Sequence, residues 1–347
     1  MKTNTLLIIS MLLAFPTTLA AQPAGEFEVP RTEWGHPDLQ GVWNFSSDIP
    51  FERPERFGTR EFLTEEEVAE VEARMAALAA RAEVEADAEL ANRGAPPAGA
   101  GSTGGYDDFW IEQAGIGENP RTSHVVYPSN GRLPPVVEGA EVQFGGLGPD
   151  RPGERPVRYT VGGISKDGPE DRGLSERCIV GFNSGPPFMP SMYNNNVQIF
   201  QNRDHAVILT EMIHDARIVP LDDRPLVDED IRLWAGDSRG HWDGDTLVVE
   251  TRNFSPLMAS FRSYGTGEDK VLTERFTRVS ADTVNYEWTL EDPSTFTDKI
   301  SAIVPMTKVA GQLYEYGCHE GNYGMTNILR GARVEERDAA EEREGAR

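Results

Sequence analysis

The stretch Thr283–Glu291, with the sequence TVNYEWTLE, alternates strictly between apolar and polar side chains. Successive side chains of a β-strand point to opposite faces, so the alternation predicts a strand with one buried and one solvated face. The buried face is expected to carry four large side chains, Val284, Tyr286, Trp288 and Leu290. Such a strand is typical of an antiparallel sheet.

Similar strand-like segments lie on both sides of this stretch and follow one another closely. They are 197–201, 205–211, 216–221, Thr246–Arg252, 271–279, 299–309 and 313–316. An Asp243-Gly244 pair before one of them indicates a hairpin turn. About eight strands with short turns predict an all-β domain over residues 110–333, either an antiparallel barrel or a sandwich.

The N-terminal residues 1–20 predict a secretory signal peptide. Lys2 precedes an apolar run at 6–15, and small residues follow at 18–21. The run is too short to span a bilayer, although an N-terminal membrane anchor is the alternative. The mature protein is therefore expected to be periplasmic or secreted, with no membrane insertion after removal of the signal.

Residues 21–109 form an N-terminal extension in which one helix is predicted at 64–92. Thr64 and Glu67 have the spacing of a capping box, and apolar residues then recur every three or four positions. A coiled-coil dimer through this helix is the alternative to packing on the main body. A glycine-rich linker is predicted at 94–105, an irregular excursion at 144–176, and a charged, helical tail at 334–347.

The net charge indicates which classes of molecule the protein is not expected to bind. The chain of 347 residues has 33 basic and 57 acidic side chains, a formal net charge of −24. This balance argues against nucleic acid, whose binding depends on neutralising phosphates, and against anionic lipid. No glycine-rich phosphate-binding motif occurs, so no nucleotide cofactor is predicted. A small-molecule ligand or substrate is the expected partner.

The only two cysteines are Cys178 and Cys318. In an exported protein an even pair predicts a disulfide, because the compartment is oxidising. Two separately buried thiols are the alternative.

Four segments resemble an uncharacterised family of exported bacterial proteins. They are MYNNN at 192–196, DSRGHW at 237–242, GDTLVVET at 244–251 and CHEGNYG at 318–324. The resemblance covers most of 110–333 and implies no activity. More loosely, Gly41-Val42-Trp43 is similar to the Gly-x-Trp start of lipocalin-like barrels, which implies a barrel with one end closed by the tryptophan.

Three polar clusters at predicted strand ends could carry chemistry. In the first, Glu211 and Asp215 could orient His214 as an acid–base group while Arg217 holds an anion. The alternative is a hairpin corner with solvated charges.

In the second cluster, Arg239 and His241 adjoin Trp242, whose ring could stack on a sugar or an aromatic compound. The alternative is a polar loop around a core tryptophan.

The third cluster, His319, Glu320 and Tyr323, follows Cys318 directly. A bridge to Cys178 would bring this cluster near Tyr193 and the three asparagines Asn194, Asn195 and Asn196. The alternative is a purely structural corner.

The sequence thus predicts an enzyme, a lyase or isomerase, that uses His and Tyr to move protons next to a carbonyl. The expected substrate is a sugar acid, a polyol or an aromatic ring compound. The predicted catalytic residues are His319, His241, His214, Tyr193 and Glu320. The predicted substrate-binding residues are Arg217, Arg239, Trp242, Asn194, Asn195, Asn196 and Tyr323.

Other functions stay open at this point. Glu211 and Glu320 could act together in a glycoside hydrolase. No cofactor is predicted, and a divalent metal held by the three histidines is an alternative. A lipocalin-like carrier without turnover and a structural envelope protein are the rival classes. Proximity of the three histidines in a wet cleft would favour catalysis.

Overall fold

The computed structural model of the protein describes residues 27–91, 112, 115–117, 120–140 and 166–346. The predicted signal peptide at 1–20 and linker at 94–105 lie outside these residues, as does the segment 144–165 of the predicted excursion. In the described ranges, no helix is both long and apolar enough to cross a membrane.

Within the described residues, ten strands and two long helices make up most of the regular structure. The strands are β1 (Gly41–Asn44), β2 (Val125–Tyr127), β3 (Asn196–Gln201), β4 (His205–Thr210), β5 (Ala216–Pro220), β6 (Asp237–Asp243), β7 (Thr246–Arg252), β8 (Val271–Arg278), β9 (Thr283–Glu291) and β10 (Ile300–Val309). The helices are α1 (Glu65–Ala91) and α2 (Tyr323–Gly345).

All ten strands belong to one antiparallel sheet. Its order is β5-β4-β3-β1-β10-β9-β8-β7-β6, and β2 pairs with β10 beside this path. The sheet curls into a nearly closed barrel, which confirms the predicted antiparallel barrel and decides against a sandwich.

The two edge strands, β5 and β6, meet at a seam, and Gly240 on β6 permits their approach. A Cβ atom at Gly240 would lie 2.8 Å from Leu221 Cδ2 and 2.9 Å from Val219 Cγ1. Both distances are shorter than a normal carbon–carbon contact. A larger residue at this position would therefore push the edges of the sheet apart.

The interior of the barrel is filled by large side chains. The alternation of β9 is confirmed, because Val284, Tyr286, Trp288 and Leu290 are all buried. They pack with aromatic residues from other parts of the chain, including Trp43, Phe45, Phe188 and Phe276. Burial of each such side chain contributes about 1.5–3 kcal/mol.

One end of the barrel, where β1 begins and β8 ends, is sealed around Trp43; we call it the closed end. The Trp43 ring is fully buried and its Nε1 donates to the Leu39 carbonyl oxygen at 2.8 Å. The Arg278 guanidinium lies 5.6 Å from the ring centroid and donates to the Asp38 carbonyl oxygen at 2.9 Å. The opposite end, where β1 ends and β3 begins, is the polar end.

Helix α1 begins as predicted. The Thr64 backbone N–H donates to Glu67 Oε2 at 2.8 Å, and the Glu67 N–H donates to Thr64 Oγ1 at 3.3 Å. This reciprocal pair is a capping box. The apolar stripe is only partly covered, because Val71 is half-buried whereas Leu78 is 60% exposed.

Several elements differ from the sequence prediction. Residues 237–243, expected at a strand end with a polar loop as the alternative, form β6, and Gly41–Asn44, within the predicted extension, is a barrel strand. The strand predicted at 313–316 was wrong, because this segment pairs with no other strand. Helix α2 begins at Tyr323, well before the predicted tail at 334–347.

Candidate functional site

A nearly buried carboxyl group, Glu211, lies at the polar end directly after β4. Its backbone N–H donates to the Asn196 carbonyl oxygen at 2.9 Å, which continues the β3–β4 pairing beyond Thr210. The Asn196 side chain donates from Nδ2 to Glu211 Oε2 at 2.8 Å. The strand pairing therefore holds the carboxyl group in place from both its backbone and its side chain.

Burial raises the pKa of Glu211 above its ordinary value. The residue is only 9% exposed, so its charged form is poorly solvated. The negative charge of Glu112 acts in the same direction, and hydrogen bonds from Asn194 and Asn196 oppose the shift. A carboxyl group with a raised pKa in a polar cluster is a candidate for proton transfer.

A second carboxylate, Glu112, adjoins this group through asparagine amides. Glu112 Oε2 accepts from Asn44 Nδ2 at 3.0 Å and from Asn195 Nδ2 at 2.9 Å, and Oε1 accepts from the Asn195 backbone N–H at 3.1 Å. Asn44 Nδ2 also donates to Asn196 Oδ1 at 2.9 Å. Asn44 and Asn196 thus form a hydrogen-bonded chain from Glu112 to Glu211.

Asn183 holds the segment 193–196, which carries the three asparagines, through hydrogen bonds to its backbone. Asn183 Nδ2 donates to the carbonyl oxygens of Tyr193 at 3.1 Å and Asn194 at 2.9 Å. The Ser191 backbone N–H donates to Oδ1 of the fully buried Asn195 at 2.8 Å. The amides that face the two carboxylates are therefore pre-positioned.

Backbone strain is concentrated in the same region. Cys178, Asn194, Ile213 and His214 have φ angles of 57°, 53°, 63° and 45°, in the left-handed region that residues other than glycine rarely adopt. Each such residue costs about 1–3 kcal/mol, and such residues cluster at functional sites. For the β-branched Ile213 the conformation is especially unusual.

The predicted disulfide is present between Cys178 and Cys318, whose Cα atoms are 5.9 Å apart. Beside it, Asn322 Nδ2 donates to the Glu176 carbonyl oxygen at 2.7 Å. These links dock the C-terminal segment at the polar end and place the His319 ring centroid 6.5 Å from that of His214. Both histidines are exposed to solvent.

The structure does not bring His241 to this pair. Its neighbour Gly240 packs against Val219 and Leu221, at the closed-end side of β5, whereas His214 precedes the first residue of β5. Five residues of extended strand correspond to about 17 Å. Near the closed end, Trp242 packs on the core and its ring lies 5.3 Å from that of His36.

The remaining predicted site residues occupy varied positions. Tyr193 adjoins the asparagines, and its ring meets Phe182 edge-on at 5.4 Å. Glu320 is exposed, and Tyr323 is 74% exposed at the first turn of α2. Within the part of the chain that the structure describes, no three His, Cys, Asp or Glu side chains are arranged to hold a metal ion.

Both predicted substrate-binding arginines have protein partners. Arg217 is buried inside the barrel, where Nη1 and Nη2 donate to Glu274 at 2.5 and 2.9 Å. Arg239 donates to Asp237 Oδ1 at 2.6 Å and, through Nε, to the Pro225 carbonyl oxygen at 3.1 Å. Their structural roles are therefore evident, and a role for either in substrate binding stays a prediction.

Glu112, Asn44 and Asn183 belong to the polar-end cluster but not to the predicted site. Asn44 lies in a short, largely apolar segment, 39–45, and is the last residue of β1; this position at a strand end is the one signal that could have found it. Glu112 and Asn183 lie in no recognisable motif. Their roles depend on contacts with residues that the fold, not the local sequence, brings close.

Comparison with protein-family models finds no match to this chain, and comparison with curated proteins finds no relative. The functional assignment therefore rests on the geometry of the polar end.

Proposed function

We propose that the protein is an exported enzyme that carries out acid–base chemistry at the polar end of its barrel, without a nucleotide cofactor. The observation that carries this proposal is Glu211, a nearly buried carboxyl with a raised pKa, held by asparagine amides. The exposed rings of His214 and His319, whose centroids lie 6.5 Å apart, supply further groups that can transfer protons. The disulfide is compatible with an oxidising, periplasmic or extracellular location.

The arrangement suits proton abstraction next to a carbonyl group. A neutral histidine of the pair would take the proton from carbon, and Glu211 would donate its own proton to the carbonyl oxygen as the enol forms. Return of a proton to a neighbouring carbon completes an isomerisation, and departure of a β-substituent completes an elimination. Asparagine N–H groups near Glu211 would stabilise the developing oxyanion.

The substrate class follows from these groups. A sugar acid, or a polyol derivative or ring compound that already carries a carbonyl group, offers both an acidic carbon–hydrogen bond next to that group and oxygens for the amide donors. The solvent-exposed histidines favour a substrate that approaches from outside the barrel.

A hydrolase is a second candidate, favoured by the Glu112–Glu211 cluster. Glu112 accepts hydrogen bonds from three N–H groups, whereas burial raises the pKa of Glu211 above its ordinary value. Two carboxyl groups in unlike environments are the arrangement used to divide acid and base roles at a glycosidic bond.

The carrier alternative receives less support. Trp43, Phe188 and Tyr286 are among the side chains that fill the barrel interior, where a lipocalin-like carrier would hold its ligand. A carrier of this fold would have to bind its ligand outside the strands.

The test is turnover of a panel of uronates, aldonates, polyol-derived ketoses and hydroxylated aromatic acids, with aryl glycosides to detect hydrolysis. Glu211→Gln keeps the acceptor for Asn196 but removes the acid, and should lower kcat by 100-fold or more. His319→Ala should lower kcat by about 10- to 100-fold.

His241→Ala is the matched control, because it removes an exposed histidine near the closed end. It should retain the activity of the unmodified protein. Full activity of Glu211→Gln, or equal losses in His241→Ala and His319→Ala, would contradict the proposed site.

A further inference from the structure

A cleft of about 370 Å³ lies between the first turns of α1 and the preceding segment 55–63, and none of its lining residues belongs to the polar-end cluster. Its walls include Arg56 and Phe57 on one side and Val71 and Arg74 on the other, with Leu63 between them. The volume falls within the range of small-ligand sites, about 300–1,000 Å³.

The residues that line the cleft on the helix side lie on a single face of the helix. Glu67, Glu70, Val71 and Arg74 line it, at positions i, i+3, i+4 and i+7 of one helix face. Arg60 donates from both terminal nitrogens to Glu67, each at 2.6 Å. This bidentate pair and the capping box at Thr64 join the helix to the preceding segment. The shape of the cleft is therefore fixed by contacts between its two sides.

Two arginines line the cleft, Arg56 on the segment before the helix and Arg74 on the helix itself. Among the described residues, no carboxylate lies within ion-pair distance of Arg56 or Arg74. Glu67 is neutralised by Arg60, so Glu70 is the remaining acid of the lining. The cleft therefore carries one net positive charge in a chain whose formal charge is −24.

Part of the cleft lining, which we call its floor, is apolar and consists of Phe57, Leu63 and Val71. Phe57 is 9% exposed, and Leu63 and Val71 are half-buried. The Arg56 guanidinium lies 4.7 Å from the Phe57 ring centroid, a cation–π contact that leaves its edge N–H groups available. Guanidinium groups of this kind bind carboxylates with two parallel hydrogen bonds.

We propose that this cleft binds a small amphipathic carboxylate, with its anionic group between Arg56 and Arg74 and its apolar body on Phe57, Leu63 and Val71. Arg56 and Arg74, which have no carboxylate partner among the described residues, provide the charge recognition, and the apolar floor favours an anion that carries a hydrocarbon chain. This site is independent of the chemistry proposed for the polar end, and its ligand need not be that reaction's substrate.

The experiment is calorimetric titration of the whole protein with sodium octanoate, octan-1-ol and octylammonium chloride. Octanoate should bind with one-to-one stoichiometry and weaken as salt is raised, because an exposed ion pair is screened. Octylammonium should fail to bind, and octan-1-ol should bind at least tenfold more weakly than octanoate.

The decisive variant is Arg56→Gln/Arg74→Gln, which should weaken octanoate binding at least tenfold. Arg252→Gln, which removes an exposed arginine paired with Glu250, is the matched control and should leave binding unchanged. Both variants alter exposed side chains, and equal melting temperatures will show that each is folded. Equal octanoate affinity in the double variant and the control, or equal binding of octylammonium, would overturn the proposal.

Discussion

Arg217 on β5 and Glu274 on β8 form a bidentate ion pair inside the barrel. The pair crosses the seam between the edge strands β5 and β6, because β8 lies on the β6 side of it. Tyr286 on β9 donates its hydroxyl hydrogen to Glu274 Oε1 at 2.8 Å, and the Phe188 backbone N–H donates to the Tyr286 oxygen at 3.1 Å. The pair thus connects an edge strand to the sheet and to the segment that leads into the polar end.

The first prediction concerns this pair. Arg217→Met should lower the free energy of unfolding by about 3–5 kcal/mol, because it leaves the Glu274 charge buried without its partner. The double variant Arg217→Met/Glu274→Gln should recover most of this loss, since no unpaired charge remains. Urea denaturation measures both, and an equal loss in the single and double variants would contradict the explanation.

The second prediction concerns acid stability through His124. This histidine is buried, its Nδ1 donates to the Ile303 carbonyl oxygen at 2.8 Å, and burial lowers its pKa to about 4 from 6.5. Below pH 6.5 the unfolded chain binds a proton that the folded protein resists, so stability should fall between pH 6.5 and 4, by about 3 kcal/mol in total.

His124→Asn, which keeps a donor near the Nδ1 position, should remove this part of the pH dependence. His241→Asn, at an exposed site, should not. The check is the urea midpoint as a function of pH, and unchanged acid sensitivity in His124→Asn would rule out this histidine as the cause.

The third prediction concerns the stability cost of the candidate acid. Because burial raises the folded-state pKa of Glu211, the unfolded chain releases its proton at lower pH than the folded protein does. The contribution of Glu211 to stability is therefore present at acidic pH and declines as pH rises through the folded-state pKa.

Glu211→Gln should consequently melt at a higher temperature than the unmodified protein at pH 7 and at a similar temperature at pH 4. The combination of greater stability with lost turnover is typical of a residue retained for function. Lower stability of the variant at both pH values would indicate instead that Glu211 serves the fold.

The fourth prediction concerns the disulfide between Cys178 and Cys318, which are separated by 140 positions. In the chain-entropy account, opening so long a loop lowers the free energy of unfolding by about 5 kcal/mol. Cys178→Ser and Cys318→Ser should show the same loss, because either removes the bond. Denaturation with and without a dithiol reductant provides the comparison, and a reductant should have no further effect on the variants.

The barrel could be predicted because its long strands show a regular alternation of apolar and polar residues in the sequence. In Thr283–Glu291, every second residue is large and apolar, and these residues form the core. The strand Asp237–Asp243 gave no such signal, because its inward positions include Ser238 and Gly240, which the crowded seam requires to be small. The segment 313–316 shows the opposite case. Its sequence is strand-like, but it forms no strand because no other strand pairs with it.

The candidate site could be predicted only in part. The cysteines carry a signal of their own in an exported chain, so the disulfide could be inferred, and with it the approach of His319 to the Tyr193–Asn196 region was expected. The Glu112–Asn44 contact joins two residues that are 68 positions apart. In it, the side-chain amide of Asn44, at the end of β1, donates to the Glu112 carboxylate. No local pattern encodes such a contact, because the pairing of β1 with β3 positions Asn44, whereas the Glu112 backbone N–H is held by the Met192 carbonyl oxygen at 2.8 Å.

The position of Cys318 after the last strand has a consequence for when the protein becomes active. The barrel is complete at Val309, so a newly made chain can fold its sheet before any thiol is oxidised. His319 is then tethered beside His214 only once the bond to Cys178 has formed. The acid–base chemistry proposed here would be slower in a reducing cytoplasm and would reach its full rate only after delivery to an oxidising compartment.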